Sequence, residues 1–343
     1  MKISWIISSL KHWTRGKITK TYTEDIIFKK IILTSVILLL FFICNYESLN
    51  CSQPATDSFL GQTPPGGTPI RFAAEIITDN FYPHSKMIIS PKGDRFYWTT
   101  FLDLGGSDKA LYYSYFDGKK LSAAKREKTL SEYGILHFIF SEDGNRILFS
   151  SLQPYDKMDG KPVRAVWTCE KTESGWSKPQ PIEVTVDTDW ASLGSVSINS
   201  AGDIYFSGRV QGETAKIYCA QCANGTYQKY EPLPEIVNTG ITIDPFIDFQ
   251  DRFLLFAASR RADNIGIIDL YISYKDKNGN WSQPTNLGQG ISTQYCDRFP
   301  MVTRDGKYLF FVTSHSNHFP STHTHFYWVD AKIIEDLKPK ELK

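Results

Sequence analysis

Short apolar and aromatic runs, each broken by a polar turn, recur along the chain from residue 69 almost to its end. Five segments share one pattern: SPKGDRFYW (90–98), SEDGNRILF (141–149), NSAGDIYF (199–206), DFQDRFLLF (248–256) and TRDGKYLFF (303–311). In each, a short strand leads into a tight turn, and a second strand leaves it with bulky residues in alternation. The turn positions are Gly93, Gly144, Gly202, Asp251 and Gly306, spaced 51, 58, 49 and 55 residues apart. Such a turn needs positive φ. Glycine adopts it freely and aspartate tolerates it better than most residues, so Asp251 preserves the fourth turn.

Two more segments recur in each unit. A third strand reads ALYYSYF (110–116), AVWTCEK (165–171), KIYCAQC (216–222), DLYISYK (269–275) and HFYWVDA (325–331). A fourth follows a Gly-bearing turn in FDGKKLSAAKRE, ESGWSKPQPIE, ANGTYQKYEPL and NGNWSQPTNLG. Four-stranded units of roughly 40–50 residues repeated radially are the blades of a β-propeller. The fifth unit lacks its fourth strand, while PGGTPIRFAAEII (65–77) has that strand's form and precedes the first repeat. The expectation is an all-β propeller of five blades over 69–343, closed by strand 69–77 pairing with the last blade. Closure removes both sheet edges. Six blades is the alternative, if the 58-residue interval or the tail holds further strands.

SPKGDRFYW, SRRADNIGIIDLYIS and GNWSQPTNLGQGIST resemble the PD40 repeat, also called the WD40-like or TolB-like β-propeller repeat, over about residues 60–335. The resemblance implies the fold. It also implies one of several settings: a periplasmic binding or scaffolding domain, a surface lipoprotein, or an accessory domain on a peptidase. It leaves the activity open.

Ahead of the repeats the pattern changes. Residues 1–30 hold seven Lys or Arg against Glu24 and Asp25, and IILTSVILLLFFIC (31–44) is an unbroken apolar run. A basic flank before an apolar stretch of about 7–15 residues is an export signal, and a spanning helix needs roughly 20. The first Met lies further upstream than such a signal needs, which raises the alternative of a later start. A retained signal anchor over 31–51 is the other reading of the segment, and either way the chain beyond residue 52 is exported. Cys51, just past the run, is the candidate lipid acceptor, although Ser48 and Asn50 stand where such sites usually have Leu and a small residue. Residues 52–68, rich in Pro, Gly, Ser and Thr, read as a flexible tether. The expected location is periplasmic or on the outer surface, anchored to the membrane.

Composition narrows the function. With 38 basic and 37 acidic residues the net charge is +1, so nothing electrostatic points to nucleic acid. No G-x-S-x-G pentapeptide, P-loop or HExxH motif occurs, and SEDGNRILF lacks the spacing of a sialidase box. No catalytic residue or cofactor is assigned. Cys219 and Cys222 form a lone C-A-Q-C pair, so a local disulfide or buried thiols, with Cys169 and Cys296 elsewhere, are expected over a zinc ribbon. His315, His318, His323 and His325 cluster in SHSNHFPSTHTHFYW. They are weak metal candidates against the plainer reading of a polar loop, and His323 and His325 would share one strand face.

The best-organised candidate site precedes each first strand. Tyr82, Tyr133 and Tyr295 stand 11 residues ahead of their turn glycines and Trp190 stands 12 ahead of Gly202. Beside them are His84, Glu132, Asp189, Asp297 and Arg298, with Asp244 in the matching loop of the fourth unit. In a propeller these loops converge on one mouth of the central channel. Aromatic faces beside carboxylates suit a sugar- or peptide-like ligand. The competing reading makes the aromatics wedges between blades and the acids turn caps. The expected function is a monomeric binding or scaffolding module for a protein, peptide or glycan partner, without catalysis. The alternative is a glycan hydrolase or lyase using Asp189, Asp244 and Asp297.

Overall fold

The computed structural model describes residues 58–78, 82–102, 109–128, 130–135, 137–187, 189–317, 321 and 323–342, with Glu132 described in its backbone alone. The basic extension 1–30, the apolar segment 31–51 with Cys51, the first part of the expected tether and His318 lie outside them. Among the described residues, no helix is long and apolar enough to cross a membrane.

Five antiparallel sheets of four or five strands follow one another along the chain, and each is a blade of a propeller, with a small hairpin, 222–223 and 226–227, set beside the third. The first three strands of blades 2 to 5 are 137–140, 146–154 and 162–172; 190–198, 204–210 and 216–220; 241–247, 253–259 and 269–274; and 296–302, 308–314 and 324–330. In blade 1 the first strand is split into 82–83 and 88–89, and strands 95–101 and 109–115 follow. The outer strands are two residues long, at 125–126, 180–181, 231–232 and 285–286.

All five turns follow one design. Gly93, Gly144, Gly202, Asp251 and Gly306 have φ of 69°, 71°, 92°, 60° and 72°. Each donates its backbone N–H to the carbonyl three residues earlier, on Ser90, Ser141, Asn199, Asp248 and Thr303. Those five residues then accept, through side-chain oxygen, the N–H that opens the second strand. Short polar side chains therefore replace the ladder bond that a hairpin loses at its tip.

The alternation expected in the second strands is not what the structure has. Residues 308–314 and 253–258 are buried throughout, because a middle strand faces a neighbouring blade on each side. Two-sided burial selects continuous apolar runs over alternating ones, and LLFAA and YLFFV are of that kind.

The ring closes as the repeat pattern predicts, in a shorter form. Ile70 and Arg71 pair with Trp328 and Tyr327 as the outer strand of blade 5. Phe72 N–H then donates to the Phe326 carbonyl at 2.9 Å. Pairing stops at Ala73, whose φ of 48° turns the chain off the sheet edge, so residues 73–77 form a turn rather than strand. Phe72 packs edge-on against Phe310 and Trp328 of blade 5 and against Phe96 of blade 1, at centroid distances of 5.0, 5.4 and 5.3 Å. One ring thus joins the first and last blades. Within the stretch read as tether, Leu60 is buried and Phe59 packs on Tyr308, Phe310 and Trp328.

Candidate functional site at the channel mouth

The first strands of the five blades line the central channel, and seven residues ahead of each turn they contribute Lys86, His137, Ser195, Asp244 and Phe299. In blades 3, 4 and 5 the pairing slips by one residue here, between Leu193 and Val196, Ile243 and Phe246, and Arg298 and Met301. A bulge leaves a residue off the ladder and re-aims its side chain. Asp244 and Phe299 take φ of 56° at these bulges, each followed by a proline. In these three blades the repeated bulge therefore presents a different side chain to the same axis.

These side chains interlock. Arg298 donates from Nε to Asp244 Oδ2 at 2.8 Å and from Nη2 to Oδ1 at 3.2 Å, and Ser195 Oγ donates to Oδ1 at 3.1 Å. Asp244 is 1% exposed. The Arg298 guanidinium lies 4.4 Å over the Phe299 ring. His137 stacks on Phe299 at 5.3 Å, and His84 lies 5.3 Å from His137 and 5.5 Å from Phe299. Burial holds both imidazoles neutral, His137 down to about 3 and His84 well below its ordinary value. Deeper in the channel the buried Lys86 Nζ donates to the Val196 carbonyl at 3.0 Å and to that of Pro245. Burial pulls Lys86 down to about 7, with Asp244 opposing.

Above this layer opens a cavity of about 310 Å³ to which every blade contributes: His84, His137, Gly194 with Ser207, Asp244 and Arg298. Space is tight at Gly194, where a Cβ would lie 2.5 Å from Ser207 Oγ and would displace that hydroxyl. The far end of the channel is closed differently. Arg304 of blade 5 reaches across to blade 2, donating to the Ser141 carbonyl at 2.9 Å, with its guanidinium 5.0 Å over Phe249. A space of about 40 Å³ there is lined mainly by Ile88, Ile139, Phe246 and Met301, and a groove of about 330 Å³ opens beside Arg304 and Phe249 between blades 4 and 5. The channel thus has a polar, open mouth and an apolar, latched base.

Of the residues expected at the mouth from sequence, His84, Asp244 and Arg298 meet there. Trp190 instead fills blade 3, donating its Nε1 to the Thr185 carbonyl at 3.1 Å and packing on Tyr218 and Tyr230. Tyr82 is half-buried in the first strand of blade 1, opposite Phe101. Glu132 and Tyr133 fall in the turn Ser131–Tyr133, and the Tyr133 carbonyl accepts Ser151 Oγ at 3.2 Å. Tyr295 packs on His315 at 6.0 Å. Asp189 is exposed. Asp297 is buried within blade 5, where its carboxylate accepts from Thr293 N at 2.6 Å, Thr293 Oγ1 at 3.1 Å and Thr313 Oγ1 at 2.7 Å. Burial raises its carboxyl to about 6 despite those bonds. Asp244 and Asp297, two acids of the glycanase alternative, are thus already held by protein donors.

Sequence reasoning passed over Lys86, His137, Ser195, Ser207 and Phe299. The signal was available: seven residues before each turn the repeat holds five chemically different residues, whereas 11 residues before it a recurring aromatic does a recurring packing task. Among the described residues, no group of three or more His, Cys, Asp or Glu could hold a metal. His315 Nε2 is 2.9 Å from Tyr327 Oη, His323 is exposed just ahead of strand 324–330, and His325 sits on that strand. Cys169, Cys219, Cys222 and Cys296 are free thiols, and burial raises Cys169 to about 11 and Cys219 to about 12. Thiols held protonated in this way are poor nucleophiles.

No protein-family model and no curated protein matches the sequence, so the PD40 likeness rests on the motifs quoted above. Solved structures do match. TolB from Acinetobacter baumannii is 13% identical over 71% of this chain and 53% of its own, with a TM-score of 0.43. The periplasmic gluconolactonase of Pseudomonas aeruginosa is 14% identical over 67% and 64%, with a TM-score of 0.39. The β-propeller domain of the Trilobed protease from Pyrococcus furiosus is 11% identical over 75% and 73%, with a TM-score of 0.34. The chain spans about half the length of the TolB chain and less than two thirds of the lactonase. The chain is a five-bladed β-propeller on the ground of its own five sheets.

Proposed function

We propose that this protein is an exported, membrane-tethered β-propeller that acts as a binding or scaffolding module, engaging a protein, peptide or glycan partner at the channel mouth. The observation that carries the reading is the cavity of about 310 Å³ to which all five blades bring convergent polar groups, in a channel latched at its other end. Preformed concave sites with a few placed polar groups are the usual form of a ligand site. Export and anchoring are supported by the basic flank, the apolar run 31–44 and Cys51.

The test is a glycan and peptide array probed with the full-length chain in detergent, beside Ala215→Phe, which fills the cavity rim without removing a charge. Signals that fall at least tenfold in the variant are expected. Signals unchanged by the variant would move the binding face elsewhere. For the anchor, Cys51→Ala is expected to shift the protein's electrophoretic mobility and release it from membranes, and unchanged behaviour removes the lipid.

A further inference from the structure

The mouth cavity carries a charge bias and two buried polar atoms that need explaining. Among the described residues, Arg298, Lys86 and Lys109 bring positive charge to the paired imidazoles, and Asp244 brings negative charge to His137. Lys109 Nζ lies 5.0 Å over the Phe101 ring, which itself lies 4.5 Å from His84. Asp244 is matched bidentately by Arg298, and His84 and His137 are neutral, so among the described residues Lys109 and the protonated share of Lys86 leave a positive surplus. In a concave site walled by apolar rings such a surplus attracts anions. A single guanidinium already committed to Asp244, with Lys86 bound to two carbonyls, matches a monoanion better than a doubly charged phosphate.

Two neutral groups also face the cavity. His137 Nδ1 and Ser207 Oγ are buried and have no hydrogen-bond partner, in residues that are 9% and 2% exposed. A buried polar atom left unpaired costs about 1–3 kcal/mol, and ligand hydroxyls can supply the missing bonds. The volume, about 310 Å³, accommodates a solute up to the size of one sugar ring.

We propose that the mouth cavity binds a small hydroxylated carboxylate, its anionic end drawn by the positive surplus around Arg298 and its hydroxyls paired with His137 and Ser207. This rests on the reading of the mouth as the binding face and names the chemistry of its innermost ligand.

The experiment is calorimetric titration of the full-length chain with L-lactate, D-glycerate and D-glucuronate. Glycerol and D-glucose are the neutral counterparts, and inorganic phosphate is the competing anion. N-acetyl-glycylglycine and its amide separate a peptide terminus from a sugar acid. At least one carboxylate is expected to bind tenfold or more tightly than its neutral counterpart, with affinity falling as salt rises and lost in Ala215→Phe. Arg298→Lys is expected to weaken it at least fivefold. Should that variant not fold, Ser207→Ala, which removes one unpaired hydroxyl and no charge, is expected to weaken it about threefold. Equal binding of acids and neutral sugars, tighter binding of phosphate, binding indifferent to Ala215→Phe, or no binding overturns the proposal. Array partners retained by the same protein while no carboxylate binds would sink this inference alone. Carboxylate binding with an array indifferent to the mouth would sink only the broader reading.

Discussion

Asp244 shows at one residue how backbone and charge are joined in this channel. Its left-handed conformation, uncommon for a residue with a side chain, turns the carboxylate to the axis, where Arg298 and Ser195 hold it. Removing one member of a buried pair leaves the other charge uncompensated, at a cost of about 3–5 kcal/mol. Asp244→Ala and Arg298→Ala are each expected to lose stability on that scale in urea unfolding. The double variant is expected to lose clearly less than the two single losses together. Additive losses would mean that the pair is not coupled. His84 and Arg298 were legible in the sequence because they stand near a recurring aromatic, and Asp244 because it lies in the matching loop of the fourth unit, where Ile243 replaces that aromatic. Lys86 and His137 were not, since what marks them is their register, seven residues before the turn. That register is set by pairing across strands rather than by local composition, and one slip exchanges which side chain faces the axis.

At the scale of elements, the turns and the closing strand were the most legible parts. A turn's requirement for positive φ is local and leaves its mark on one residue. Asp251 does more than tolerate its turn, however. Its carboxylate accepts from Tyr205 Oη of blade 3 at 3.2 Å and pairs with Lys275 of its own blade. Asp251→Gly relaxes the turn but removes a part-buried ion pair and a hydrogen bond, together worth about 1.5–3 kcal/mol. The expected net is a loss of about 1 kcal/mol, read from the urea midpoint, and a gain would show that turn geometry dominates. The length of the closing strand was not legible, because Ala73 ends it by a conformation that alanine rarely adopts. Its energetic centre is Phe72, 2% exposed between two blades. Phe72→Ala is expected to cost about 3–5 kcal/mol by cavity formation. It should also raise hydrogen exchange in strand 324–330 before the middle blades. Uniform exchange across all blades would mean that the ring does not open at this seam.

For the whole molecule, the channel sets how stability follows pH. The unfolded chain protonates His84 and His137 near 6.5, while the folded chain resists, His137 down to about 3. As pH falls below about 6.5 the unfolded state therefore binds protons that the folded state does not, and stability is lost. Asp297 acts in the opposite sense. With its carboxyl raised from 3.8 to about 6, the folded state holds the extra proton between those values, and its contribution grows as pH falls. Two imidazoles outweigh one carboxyl, so the net acid limb is expected to fall. On the alkaline side Lys86 is lowered from 10.5 to about 7. Between those values the unfolded chain carries its proton and the folded chain sheds it, so stability rises with pH across that window. The thermal midpoint is expected to climb from pH 4 towards pH 9. His137→Asn should flatten the acid limb and Lys86→Met the alkaline one. Each variant leaves the other limb in place, because one group sits at the mouth and the other below it. A Lys86→Met protein whose midpoint rises with pH above 7 as steeply as the parent's would show that the amine is not desolvated in the channel. The polar mouth and the buried amine would then have to be separate features of the ring.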